Sequence, residues 1–209
     1  MAERTWAARA LTAILAGAGI AAFGVLSGLT WVFRGIGDAD RRFFQVVNHA
    51  RFPSWLDSVL RGVRPLGTSW ALVVLAIAIG IWRPIDGASL LGVGLLSGGI
   101  ERALKLTANR PRPFSTLPDV RLRLTAPKDP SFPSGDASRA WYMATATAAG
   151  LTPYAPLWAA AYLLAALVSL SRVRGGVHFP LDVWAGSWLG LGMGLIWAGF
   201  HVWLRLQLT

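Results

Sequence analysis

Apolar runs of about twenty residues recur along most of this 209-residue chain, and nothing else in the sequence limits its fold as strongly. A helix of ~20 apolar residues crosses the hydrocarbon core of a bilayer, where the backbone must satisfy its own hydrogen bonds. Runs of this kind cover residues 10–33, 68–82, 87–106, 134–151, the stretch from the turn at 152–156 to 170, and 180–206. The expected fold is therefore all-α: a polytopic membrane protein of six transmembrane helices, forming one domain over residues 1–209. The balance of 54% hydrophobic to 14% charged residues suits this reading. The first run is longer than a signal-peptide core and lacks a clear small-x-small cleavage site, so it is expected to be retained as a span.

The segments between the runs differ in character. In residues 34–66 the pairs Phe43-Phe44 and Val46-Val47, then Trp55, Leu56, Val59 and Leu60, alternate with six arginines. That pattern predicts an amphipathic segment lying in the membrane interface. Residues 83–86 form a short turn, where Pro84 stops one helix. Residues 107–133 are polar, hold six prolines, and are expected to form a long functional loop. Ser134 or Asp136 can cap the next helix. Residues 171–178 read as a polar turn, and Pro180 suits the first position of the last helix. The glycines at 186, 190, 192 and 194 predict close packing against a neighbouring helix.

The formal charge is +10, but the basic residues lie between apolar spans. Their expected partners are membrane lipids and phosphate-bearing substrates, and nucleic acid is excluded. The absence of cysteine excludes disulfides, thiolate metal sites and cysteine nucleophiles.

With six spans, the loops after the first, third and fifth share one side of the membrane. Lys105 and Arg112, then Ser134, Gly135 and Asp136, then Arg172, His178 and Asp182 all fall at that side, so three distant segments can build one pocket. Arg presents a planar fork of donors to phosphate oxygens, and Lys presents a point charge. A helix beginning at Ser134-Gly135 adds a hydroxyl and main-chain amides, and a residue without Cβ lets the main chain approach an anion. His178 is the candidate nucleophile, with Asp182 four residues on to fix its tautomer and stabilise its developing charge. Those cations can neutralise the transition state, so no metal and no cofactor are required. His49 and His201, each alone, read as interfacial polar residues.

Lys105-(six residues)-Arg112-Pro113, Pro133-Ser134-Gly135 and Ser171-Arg172-(five)-His178-(three)-Asp182 resemble the three-part signature of the type 2 phosphatidic acid phosphatase superfamily, in its membrane branch. The resemblance implies a metal-independent membrane lipid phosphatase acting through a phosphohistidine. By the same resemblance Lys105, Arg112, Ser134, Gly135 and Arg172 bind phosphate, while His178 attacks with Asp182 as its partner. The family usually has histidine after Ser-Gly as general acid, and here that position is Asp136. Either Asp136 supplies the proton itself, or the leaving group needs none, as when a lipid diphosphate departs as a lipid monophosphate. A lipid-binding protein that has lost catalysis and a lipid-to-lipid phosphotransferase are the alternative readings. Most Lys and Arg lie on the site's side, which by the positive-inside rule points to the cytoplasm. Resemblance to the bacterial branch instead implies an inner-membrane enzyme with an outward-facing site. The oligomeric state is not encoded in any of these features.

Overall fold

The structure is a computed structural model and describes the backbone of residues 2–208 and the side chains of residues 5–208. The described residues are helical, with no strand. α1 (Ala2–Gly28) runs into a 3-10 turn and is followed by α2 (Arg34–His49) and α3 (Ser54–Val63). α4 (Ser69–Trp82) and α5 (Pro84–Ala108) come next, then a short α6 (Pro113–Thr116) within the long loop. α7 (Gly135–Ala146), α8 (Ala155–Arg174) and α9 (Pro180–Leu208) complete the chain.

Among the described residues, three stretches are long and apolar enough to cross a membrane: Thr5–Val32, Ala155–Arg174 and Pro180–Leu208. Ser54–Gly67 and Ser69–Trp82, bent by 63°, pass together as a fourth. Trp70, Ile77, Ile81, Trp82, Leu95, Leu96 and Leu163 are exposed on the helix surfaces. A soluble protein rarely tolerates so large an apolar surface, whereas lipid requires one.

Two sequence boundaries shift. Pro84 opens α5 at its first turn as well as ending α4, so only Arg83 lies between them. α8 continues to Arg174, which places Ser171 and Arg172 in its last turn and confines the connection to 175–179. Cations at a helix C-terminus favour this extension. Arg174 also reaches the carbonyls of Asn48 and Ala50 (2.8 and 2.7 Å) and pairs with Asp57 (2.9 Å). It thereby pins α2 and α3 onto the end of α8. The predicted amphipathic segment is these two helices, with Asp40, Phe44 and Asn48 turned inward and Phe43, Val46 and Trp55 exposed.

α9 lies between α7 and α1, and its glycines allow both approaches. A methyl group on Gly190 would lie 2.1 Å from the Ser138 carbonyl of α7, and one on Gly192 would lie 2.3 Å from the Gly17 carbonyl of α1. A methyl on Gly186 would lie 2.3 Å from the carbonyl of Ser134, so the start of α7 is pressed directly onto α9. At the other end of the bundle, Asp86 is buried among Arg83, Arg205 and His201. His201 is 7% exposed and stacks on Trp197 at 5.0 Å. It is a core residue, not the interfacial one expected, because Asp86 supplies a buried carboxylate beside it.

Candidate active site

The three segments meet at one end of the bundle. Lys105 comes from the last turn of α5, Arg112 from the loop, Ser134, Gly135 and Asp136 from the start of α7, and Arg172 from the last turn of α8. His178 and Asp182 flank the start of α9. Lys105, Arg112, Ser134, Arg172, His178 and Asp182 are all buried. So many ionisable groups persist there only with mutual pairing.

Arg112 organises the centre. Its Nη1 donates to the Val177 carbonyl at 2.8 Å and lies 3.2 Å from Nε2 of His178. A guanidinium can only donate, so Nε2 is the unprotonated nitrogen and Nδ1 carries the hydrogen. Nδ1 stands 3.5 Å from Ser131 Oγ and 3.7 Å from Asp182 Oδ2. Asp182 therefore does not bind the ring directly. Its Oδ2 accepts from Ser131 Oγ (2.5 Å) and from the Phe179 amide (2.8 Å), while Oδ1 accepts from Arg110 Nη1 (2.6 Å). Arg110 continues to Asp40 of α2 at 2.5 Å, sandwiched between Trp31 and Phe179 with ring centroids at 4.6 and 4.3 Å.

Asp136 lies among cations: Arg139 Nη2 donates to it at 2.8 Å, and Arg172 Nη1 is 2.9 Å away. Arg139 also pairs with Glu101 at 3.0 Å, and Glu101 with Lys105 at 3.3 Å. Lys105 pairs in turn with Asp129, whose other oxygen accepts from Arg112 Nη2 at 2.9 Å. An alternating chain of charge thus runs from Asp129 through Lys105, Glu101, Arg139 and Asp136 to Arg172. Burial alone would raise the Asp129 carboxyl, but Lys105 and then Arg112 hold it down at about 2.

One sequence expectation changes. Ser134 does not cap α7 with its side chain, and its buried hydroxyl has no partner among the described residues. Arg172 Nε is buried without a partner in the same way. A methyl group on Gly135 would lie 2.2 Å from the Glu101 carboxylate, so a side chain there would have to displace that carboxylate. Sequence reading also missed Ser131, Arg110, Asp40, Asp129 and Arg139. Of these only Arg110 carried a local signal, since Arg110-Pro111 directly repeats the Arg-Pro of Arg112-Pro113.

His178 is pushed from the ordinary 6.5 to about 4, first by burial and then by Arg112 and Arg172, with Asp182 acting the other way. A ring neutral at neutral pH keeps its lone pair for attack. The acid limb of kcat/KM, corrected for substrate ionisation, is expected near pH 4 and not near 6.5. Because the folded value lies below the unfolded one, His178 also adds stability above pH 6.5 that is lost as pH falls through about 4. A pH–rate profile with its acid limb unmoved at 6.5 would contradict the buried neutral ring.

The chain is similar to several known proteins. Residues 86–206 match the model of the PAP2 superfamily. The chain is 31% identical over 160 residues to phosphatidylglycerophosphatase B of Bacillus subtilis, covering 70% of this chain and 75% of that one. It is 41% identical over 81 residues to undecaprenyl-diphosphatase of Sulfolobus acidocaldarius, spanning 38% of this chain and 37% of that one. The crystal structure of the Bacillus subtilis PAP2-type phosphatidylglycerolphosphate phosphatase superposes with a TM-score of 0.75 at 28% identity, over 88% of this chain and 94% of that one. Aquifex aeolicus LpxE superposes with a TM-score of 0.67 at 33% identity, over 75% and 92%.

Proposed function

Since this chain belongs to the PAP2 superfamily and is an integral membrane lipid phosphatase, we propose that it works through a phosphohistidine formed on His178. The orientation of the ring is the observation that carries this reading: Nε2 faces Arg112 and Nδ1 faces Ser131 and Asp182. Lys105, Arg112, Ser134, the main chain at Gly135, and Arg172 hold the phosphate. His178 Nε2 bonds to phosphorus as the bond to the leaving oxygen breaks, and Asp182 offsets the charge gained by the ring. Water then attacks phosphorus, inorganic phosphate leaves, and the imidazole returns to its neutral form. The lysine and the two arginines supply the neutralisation that other enzymes take from a metal ion.

The surroundings of Asp136 favour one of the two leaving-group readings. A carboxylate held by Arg139 and beside Arg172 has no proton to give. That supports a substrate whose leaving group needs no acid: a polyprenyl or other lipid diphosphate, with phosphatidic acid and phosphatidylglycerol phosphate hydrolysed more slowly. The test is phosphate release in detergent with EDTA from undecaprenyl diphosphate, phosphatidylglycerol phosphate and phosphatidic acid. Release is expected to survive EDTA and to favour the diphosphate. Asp136→His is expected to raise the monoester-to-diphosphate ratio at least about tenfold by restoring a general acid. An unchanged ratio removes the leaving-group argument, and loss of activity in EDTA removes metal independence.

In this reading α1, α4, α5, α7, α8 and α9 are six crossings of one domain, and α2 and α3 lie along the interface at the site end. An apolar groove of about 410 Å³ between α2, α7, α8 and α9 takes the lipid tail laterally. Val173 and Val183 in its wall are the chain neighbours of Arg172 and Asp182, so the tail and the head group reach the site together. The site faces outward from an inner membrane, with both termini inside. A cysteine placed at Lys128 of this cysteine-free chain reports that side by labelling with a membrane-impermeant reagent.

A further inference from the structure

The cations assigned to phosphate already hold a carboxylate of the protein's own. Asp129 Oδ2 pairs with Lys105 Nζ, and Oδ1 accepts from Arg112 Nη2 at 2.9 Å. Its two oxygens bridge the pair as two oxygens of a phosphate would. The other arm of the same guanidinium touches His178 Nε2. The carboxylate therefore stands one guanidinium away from the nucleophile.

Asp129 differs from its partners in freedom. Lys105 and Arg112 are buried, but the Asp129 side chain is 51% exposed in a cleft of about 610 Å³ bordered by Asn109, Phe114, Ser115 and Lys128. It belongs to the loop before α7 and not to a helix. Its main-chain carbonyl separately holds Arg112 Nε at 2.7 Å. The side chain can thus rotate into the cleft while the backbone still anchors Arg112. Only the carboxylate side of these pairs is exposed: water resolvates the released carboxylate, and the incoming phosphate takes its place on the two buried cations, so neither is left unpaired.

We propose that Asp129 is a displaceable internal counter-ion: it neutralises Lys105 and Arg112 between turnovers, gives way to the substrate phosphate, and returns to expel inorganic phosphate. The inference rests on reading Lys105 and Arg112 as phosphate-binding. The displacement weakens substrate and product by the same factor, so it favours turnover where product release is slow. Its carboxylate remains charged throughout the working pH range, so the device operates at every pH at which the enzyme does.

The test is binding of orthovanadate and inorganic phosphate to purified wild-type protein and to Asp129→Asn, read as inhibition constants and as ligand-induced thermal shifts. Asparagine keeps the side-chain shape and the carbonyl bond to Arg112, but offers no net charge to Lys105. Both oxyanions are expected to bind roughly tenfold more tightly to the variant. Weaker binding in the variant would make Asp129 a fixed support for the two cations and overturn the proposal, and unchanged binding would overturn it equally. Lys105→Ala separates this from the underlying reading. If that variant binds vanadate as well as wild type, the assignment of the phosphate site fails, whatever Asp129 does.

Discussion

His178→Ala is expected to lower kcat/KM by roughly 10⁴-fold or more, about 5 kcal/mol of transition-state stabilisation. The size follows from what the ring does in the proposed mechanism. It is the atom that bonds to phosphorus, so its loss removes a covalent route and leaves only water attacking a substrate held by cations. Residual turnover measures what Lys105, Arg112 and Arg172 achieve by binding and charge alone. A radiolabelled phosphoenzyme, acid-labile and alkali-stable as a phosphoramidate is, should form in the wild type and be absent from the variant. The variant should remain folded, because the groups around the ring stay paired: Arg112 with Asp129 and with the Val177 carbonyl, and Asp182 with Arg110 and Ser131. Free imidazole has the shape of the ring removed and is expected to restore part of the rate by accepting the phosphoryl group. A variant that keeps more than about one per cent of wild-type turnover without a phosphoenzyme would sink the covalent mechanism.

The second large effect concerns stability. Arg110→Ala is expected to destabilise the fold by about 3–5 kcal/mol, because removing one member of a buried ionic group strands the others. Arg110 is 3% exposed and bridges Asp182 and Asp40, and its guanidinium is packed between two aromatic rings. Its loss leaves two carboxylates without their cation. A fall of roughly 10 °C in the melting temperature in detergent is the expected reading. Asp40→Asn should cost less, since burial outweighs Arg110 and already pushes the Asp40 carboxyl up, so its charge is the cheaper one to remove. In the double variant the Asp40→Asn change should recover part of the loss, which a double-mutant cycle measures as coupling between neighbours. An Arg110→Ala protein that melts within about 2 °C of wild type would show that this clamp does not stabilise the fold.

The two predictions differ in how visible their residues are in sequence. His178 belongs to a spaced pattern with Arg172 and Asp182, and the pattern survives reading along the chain because the last turn of α8 and the first turn of α9 are near one another in sequence. Arg110 shows only a repeated Arg-Pro, and its partner Asp40 lies 70 positions away on a helix that otherwise reads as interfacial. Asp129 and Ser131 sit in a proline-rich loop without periodicity, so no pattern marks them. Spacing also suggested a cap that does not form: the hydroxyl of Ser134 is left without a capping bond. The end of α8 moved by a full turn because Arg174 finds carbonyl acceptors on α2, which hydropathy does not record.

The sequence alone determined what is local or set by solvent. Apolar runs long enough for a bilayer dictate helices, because lipid offers the backbone no other partner, and residues a fixed few positions apart share a helix end. It thereby fixed the all-helical class, the three clustered segments and the chemistry that lysine, arginine and histidine bring. The tertiary structure alone decided which distant charges meet. Buried ions must be paired, and several partners lie far apart in the chain: Asp129 with Arg112 across 17 residues, Arg110 with Asp182 and Asp40 across 72 and 70, and Arg174 with a main-chain carbonyl at the end of α2 across 126. Pairing energy depends on distance in space, which the order of residues does not contain.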